Sequence, residues 1–114
     1  MSIHSVPPPS LSEAASAFAA LGSEQRLTVL RVLVRAGPEG LPIGVLGERT
    51  GVTGSTLTHH MKILTAAGLV TQARQGRQII CAAAEYDRMQ GLSEFLLSEC
   101  CADSGAPHKG NHHG

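Results

Sequence analysis

The most restrictive stretch of this chain lies between residues 40 and 83. Thr50-Gly51-Val52-Thr53-Gly54 has the composition of a tight turn, and it is flanked by two helical patterns. The first is short and starts around Gly40-Leu41-Pro42, with Pro at a helix-start position and Ile43, Val45 and Leu46 apolar. The second is predicted from about Gly54 to Ala67, with Thr53 placed to cap it and Gly68 to end it. Its inner side reads as Leu57, Met61, Ile63 and Leu64, its outer side as Ser55, Thr56, Thr58, His59 and Lys62. Helix, Gly-containing turn, and helix with a polar, cationic outer face make a helix-turn-helix pattern. Two short strands follow, Leu69 to Ala73 and Gln78 to Ala83, joined by a turn over Arg74-Gln75-Gly76-Arg77. A hairpin directly after such a helix is a wing.

The remaining segments frame this unit. Ser10 can cap a helix running from Leu11 to about Leu21, with a stripe of Leu11, Ala14, Ala15 and Phe18. After Gly22, Ser23 caps a second helix with Arg26 near its start. Leu27, Val29, Leu30, Val32, Leu33 and Val34 give that helix a broad apolar face, and Ala36-Gly37-Pro38 ends it. A last helix is expected from about Glu85 to Glu99, striped with Tyr86, Met89, Leu92, Phe95 and Leu96. At 114 residues the chain makes one domain, residues 10–101. Residues 1–9, with Pro7-Pro8-Pro9, read as a disordered, polyproline-like lead-in, and residues 102–114 as a disordered His-containing tail. The fold class is therefore mainly α with a small β-hairpin, a winged helix-turn-helix. No apolar run reaches the ~20 residues of a membrane span, and the start has no signal-peptide pattern, so the cytoplasm is expected.

The chain has zero formal net charge, which hides an uneven distribution. From Arg49 to Ala84 there are four cations (Arg49, Lys62, Arg74 and Arg77) and no acid, whereas from Glu85 on five acids face two cations. The cationic block coincides with the helix-turn-helix and wing, as an electrostatic footprint for nucleic acid requires. The three cysteines, Cys81, Cys100 and Cys101, are an odd count, which fits free thiols in a reducing compartment rather than a disulfide framework. No Ser/His/Asp set, P-loop or HExxH motif is present, so the chain does not read as an enzyme.

The run Gly54-Ser55-Thr56-Leu57-Thr58-His59-His60-Met61-Lys62-Ile63-Leu64-Thr65-Ala66-Ala67-Gly68-Leu69-Val70, with Leu21-Gly22-Ser23-Glu24-Gln25-Arg26-Leu27 upstream, resembles the ArsR/SmtB family of metal- and metalloid-responsive repressors. The family pattern there is Ser-Thr-Val-Ser-x-His-Leu-Lys-x-Leu, then Ala-Gly-Leu-Val; Leu57, Thr58 and Met61 depart mildly from it. The resemblance covers roughly Phe18 to Leu97. It implies a homodimer joined through the first and last helices, bound to an imperfectly palindromic double-stranded operator. Ser55, Thr56, Thr58, His59 and Lys62 would contact base edges or phosphates, and Arg74, Gln75 and Arg77 at the wing would reach the backbone or minor groove. His60 fills the family's His position, either contacting DNA or holding a structural hydrogen bond. Arg26 either touches a phosphate or pairs locally.

The expected signal is a thiophilic inducer, with no obligatory cofactor. The family's Cys-Val-Cys site maps onto Pro42-Ile43-Gly44, which carries no thiol, and no His accompanies Asp87 in the last helix. What remains is Ser98-Glu99-Cys100-Cys101, which looks like the arsenic sensors of the family with adjacent cysteines at the end of the last helix. Soft thiolates select soft centres such as trivalent arsenic, as arsenite or an organoarsenical. Adjacent cysteines in a regular helix diverge, so they meet on one atom only where the helix unwinds. Cys81 and His108 are further candidate ligands. The alternatives are a thiol redox or persulfide sensor, and a zinc, nickel or cobalt sensor using the tail histidines His108, His112 and His113.

Overall fold

A computed structural model describes residues 7–105. The lead-in before Pro7 and the tail histidines His108, His112 and His113 lie outside them. The elements run α1 Leu11–Ala20, α2 Glu24–Ala36, β1 Leu41–Pro42, α3 Ile43–Thr50, α4 Gly54–Ala66, β2 Val70–Gln75, β3 Gln78–Ala83 and α5 Tyr86–Leu97. Helix starts follow side-chain chemistry. Ser10 and Glu13 form a reciprocal capping box on α1, with Glu13 N donating to Ser10 Oγ at 3.0 Å and Ser10 N to Glu13 Oε1 at 2.9 Å. Ser23 Oγ accepts from Arg26 N at 3.3 Å to cap α2. Thr53 sits at the N-cap of α4 without a side-chain bond; there the backbone serves, Thr53 O accepting from Leu57 N at 2.7 Å.

One core lies under α1–α4 and the sheet, with Val29, Leu33, Leu46, Met61 and Leu64 fully buried. Each such side chain contributes roughly 1.5–3 kcal/mol by leaving water. The sheet differs from the expected hairpin. Leu41-Pro42, read as the start of a helix, instead forms a third, edge strand, antiparallel to β3 with Leu41 opposite Cys81 and Pro42 opposite Ile80. An edge strand tolerates Pro, and Pro42 then serves as N-cap of α3. The strand order is β1-β3-β2. Gly40, with φ +74°, lets the chain enter this strand, because a Cβ there would run into the Cys81 carbonyl oxygen.

The other differences concern which residues face inward. In α1 the small residues Ala14, Ala17 and Ala20 are buried, while Leu11 and Phe18, assigned to the same stripe from sequence, stand exposed. In α2, Leu27 and Val34 are likewise exposed. In α4 the buried row is Leu57, His60, Met61 and Leu64, with Ile63 only half-buried. The last helix ends at Leu97 rather than near Glu99. Ser98 Oγ donates to the Phe95 carbonyl at 3.3 Å, and beyond it single turns replace helix, Cys100 N to Leu97 O and Ala102 N to Glu99 O.

Candidate nucleic-acid interface and C-terminal thiol pair

The turn between α3 and α4 is built by three residues. Gly51 caps α3 in the left-handed region at φ +74°, a conformation that costs an L side chain about 1–2 kcal/mol. Thr50 Oγ1 donates to Leu46 O at 2.9 Å and accepts from Val52 N at 3.3 Å, so one hydroxyl braces the helix end against the turn. Val52 is buried and pins the turn to the core. With the turn held, α4 presents Ser55, Thr56, Thr58, His59 and Lys62 to solvent, all of them exposed. Thr56, His59 and Lys62 follow at helical three-residue steps and share a face. Thr58 Oγ1 donates back to Gly54 O at 3.0 Å, which leaves its hydroxyl free only as an acceptor.

The wing is tighter than the sequence suggested. Gln75 pairs with Gln78, so Arg74 and Gln75 belong to β2 and the loop is Gly76-Arg77 alone. Arg74, Gln75 and Arg77 are exposed, as is Arg49 at the end of α3. Among the described residues none of Arg49, Lys62, Arg74 and Arg77 is engaged in an ion pair. Four uncompensated cations on a helix, its preceding turn and its following hairpin form a surface suited to polyphosphate.

His60 is placed differently from its neighbour His59. It is 8% exposed and lies in the apolar row of α4. Its Nε2 lies 2.8 Å from Gln25 Oε1 and its Nδ1 lies 3.4 Å from an Arg26 terminal nitrogen. Arg26 is in turn held by its Nε, which donates to Ala20 O at 2.6 Å. Since guanidinium only donates, Nδ1 accepts and Nε2–H donates to Gln25, which fixes the neutral tautomer. Burial first, then the charges of Arg26 and His59, push the His60 pKa below its ordinary 6.5. Arg26 is thus used locally. The signal for an inward His60 was in the sequence: 57, 60, 61 and 64 is a core spacing, and His60 falls on it.

The cysteines divide into two kinds. Cys81 is fully buried in β3, between Leu41 of β1 and Gln72 of β2, and burial raises its thiol pKa. It has the environment of a small core residue. Cys100 and Cys101 are exposed, with their sulfurs 3.1 Å apart. They converge because the helix has already ended and Cys101 takes a left-handed φ of 66°, which turns successive side chains toward each other. The hydrogen bond to Cys101, then its charge and slight desolvation, raise the Cys100 pKa, which favours the thiol form of Cys100. Among the described residues no group of three His, Cys, Asp or Glu side chains converges on a metal position.

Comparison with known proteins agrees with this architecture. A family profile described as a helix-turn-helix domain matches residues 21–73. The HTH-type transcriptional regulator NmtR of Mycobacterium tuberculosis (strain ATCC 25618 / H37Rv) is 35% identical over 85 residues, 75% of this chain and 68% of that protein. YceK of Bacillus subtilis (strain 168), an uncharacterized HTH-type transcriptional regulator, is 36% identical over 63 residues, 55% of this chain and 62% of its own length. The chain therefore spans less than two thirds of YceK. The homodimeric winged helix-turn-helix DNA-binding domain of Mb0332 from Mycobacterium bovis, described as a possible ArsR-family transcriptional regulator, shares the fold. Its TM-score is 0.62 at 24% identity, over 90% of each chain.

Proposed function

Since the chain belongs to the ArsR/SmtB family of winged helix-turn-helix transcriptional regulators, we propose that it is a cytoplasmic, homodimeric repressor whose operator binding is relieved by a trivalent organoarsenical at Cys100 and Cys101. The observation that carries the DNA half is the acid-free cationic surface of α4 and the wing. The recognition helix α4 enters the major groove, where Thr56 and His59 face base edges and Ser55, Thr58 and Lys62 flank them. Arg74, Gln75 and Arg77 extend the contact along the backbone. A homodimer is in keeping with Mb0332, and with the exposed Leu11 and Phe18 on α1 and Leu96 and Leu97 on α5, which a lone protomer leaves in water.

The observation that carries the sensor half is the 3.1 Å separation of two exposed sulfurs. Thiolate bonds to a soft centre are about 2.3 Å long, so one atom can bridge both. Condensation of an organoarsenous acid, RAs(OH)2, with the two thiols forms two As–S bonds and releases two water molecules. No electron is transferred, and the raised Cys100 pKa is no obstacle because the thiol protons leave in the water. A two-sulfur arsenical suits this pair, because no third ligand converges on it among the described residues. Bridging occurs three residues beyond α5, an element offered to the dimer, which links ligand to DNA affinity. On this reading the protein needs no resident cofactor and performs no catalysis.

The test is release of a bound duplex, selected from a random pool, by methylarsenite, arsenite, zinc and hydrogen peroxide. Methylarsenite is expected to release wild-type protein and to leave Cys100→Ser and Cys101→Ser bound. Release by zinc or peroxide with no response to either arsenical would overturn the arsenic assignment and leave the DNA assignment standing.

A further inference from the structure

The buried face of the recognition helix holds a polar group that the DNA contacts do not use. From it we infer that Gln25, Arg26 and His60 form a clamp that sets the position of α4 for DNA and opens on protonation of His60. The inference rests on the DNA-binding reading and is independent of the inducer.

The geometry is continuous across three elements. The carbonyl of Ala20, the last residue of α1, accepts from Arg26 Nε at 2.6 Å. The Arg26 terminal nitrogen faces His60 Nδ1 at 3.4 Å, and Nε2–H of the same ring donates to Gln25 Oε1 at 2.8 Å. Gln25 and Arg26 are in the first turn of α2, so the clamp ties the α1–α2 junction to the middle of α4. The apolar contacts of Leu57, Met61 and Leu64 bury one row of α4 without directional bonds, and the two bonds to the His60 ring add direction to its seating. Rotation matters because His59, adjacent to the clamped residue, is on the outer face whose side chains must meet base edges.

The clamp requires a neutral ring. Protonation places a hydrogen on Nδ1, where Arg26 already points donors, and adds a positive charge facing a guanidinium. Of the charged groups on α1, α2 and α4, Arg26 and His59 act on the ring, both against its protonated form. The closed clamp therefore binds no proton near neutrality and the open one takes one up. Closure is complete above the ordinary value of 6.5 and is lost as pH falls below it. His59 stands next to the ring on the DNA-facing side of α4 and acts on it, so it is replaced throughout the test.

Affinity for a duplex selected at pH 8 is measured from pH 8 to pH 5.5 at constant ionic strength in His59→Gln, His59→Gln/His60→Gln and His59→Gln/Gln25→Glu proteins, with circular dichroism to confirm folding. His59→Gln protein is expected to lose affinity below pH 6.5, by at most about tenfold per pH unit per protomer. The added His60→Gln change should weaken binding at pH 8 and flatten the profile. Gln25→Glu, whose carboxylate accepts from Nε2–H and favours the charged ring within the closed clamp, should shrink the acid loss while keeping the ring. Equal acid loss in all three folded proteins would overturn the clamp. Failure of His59→Gln and wild-type protein alike to bind any duplex at pH 8 would instead overturn the DNA-binding reading.

Discussion

Two cysteine environments carry opposite consequences at the residue scale. Cys81 has no solvent access and a thiol pKa raised by burial, so its contribution is packing between β1 and β2. Replacing its sulfur with a hydroxyl places a polar group in an apolar site, at a cost of about 1–3 kcal/mol. Cys81→Ser should therefore lower the midpoint of urea unfolding while leaving arsenical release intact. A variant of unchanged stability that no longer responds to arsenical would return Cys81 to the sensor. The division was partly legible beforehand. Cys100-Cys101 stood out by adjacency, and Cys81 by its place in a strand. What sequence did not reveal was that the helix stops at Leu97 and that Cys101 turns left-handed, since neither residue 98 nor 101 is a glycine or proline. For His60 the sequence left DNA contact and a structural hydrogen bond both open, because the partners that hold its ring, Gln25 and Arg26, lie about 35 residues away in sequence.

At the scale of elements, order and type followed from periodicity and caps, because Ser10, Ser23 and Gly51 act through bonds local to their own helix ends. Errors arose where long-range pairing decided. Leu41-Pro42 has helix-start chemistry, yet the open edge of β3 captured it as a strand. The α1 stripe was read as Leu11, Ala14, Ala15 and Phe18, but close packing on α1 kept Ala14, added Ala17 and Ala20, and left Leu11 and Phe18 outside. With Leu96 and Leu97 of α5 also exposed, the terminal helices carry the apolar surface on which the proposed dimer would form. A charge at that surface should separate the copies. Phe18→Glu and Leu96→Glu are each expected to raise the dimer dissociation constant by about a hundredfold, roughly 3 kcal/mol, in sedimentation equilibrium. Both should also weaken DNA binding. Dimers of undiminished strength would show that the second copy, if any, sits elsewhere.

On the scale of the whole molecule, the central claim is that a chain of zero net charge binds duplex DNA because four of its nine Lys and Arg residues fall in one acid-free stretch spanning the helix-turn-helix and the wing. Arg49, Lys62, Arg74 and Arg77, free of ion pairs among the described residues, would make eight phosphate-facing cations in a dimer. Each neutralised phosphate contributes about −0.9 to the slope of log K against log salt. The most direct measurement is that slope, for wild type and for Arg77→Ala, on a selected duplex at pH 7.5. If all eight cations engage, the wild-type slope should be about −7, and Arg77→Ala, which removes two cations per dimer, should reduce its magnitude by about 2. A slope near zero, or one unchanged by Arg77→Ala, would contradict the account.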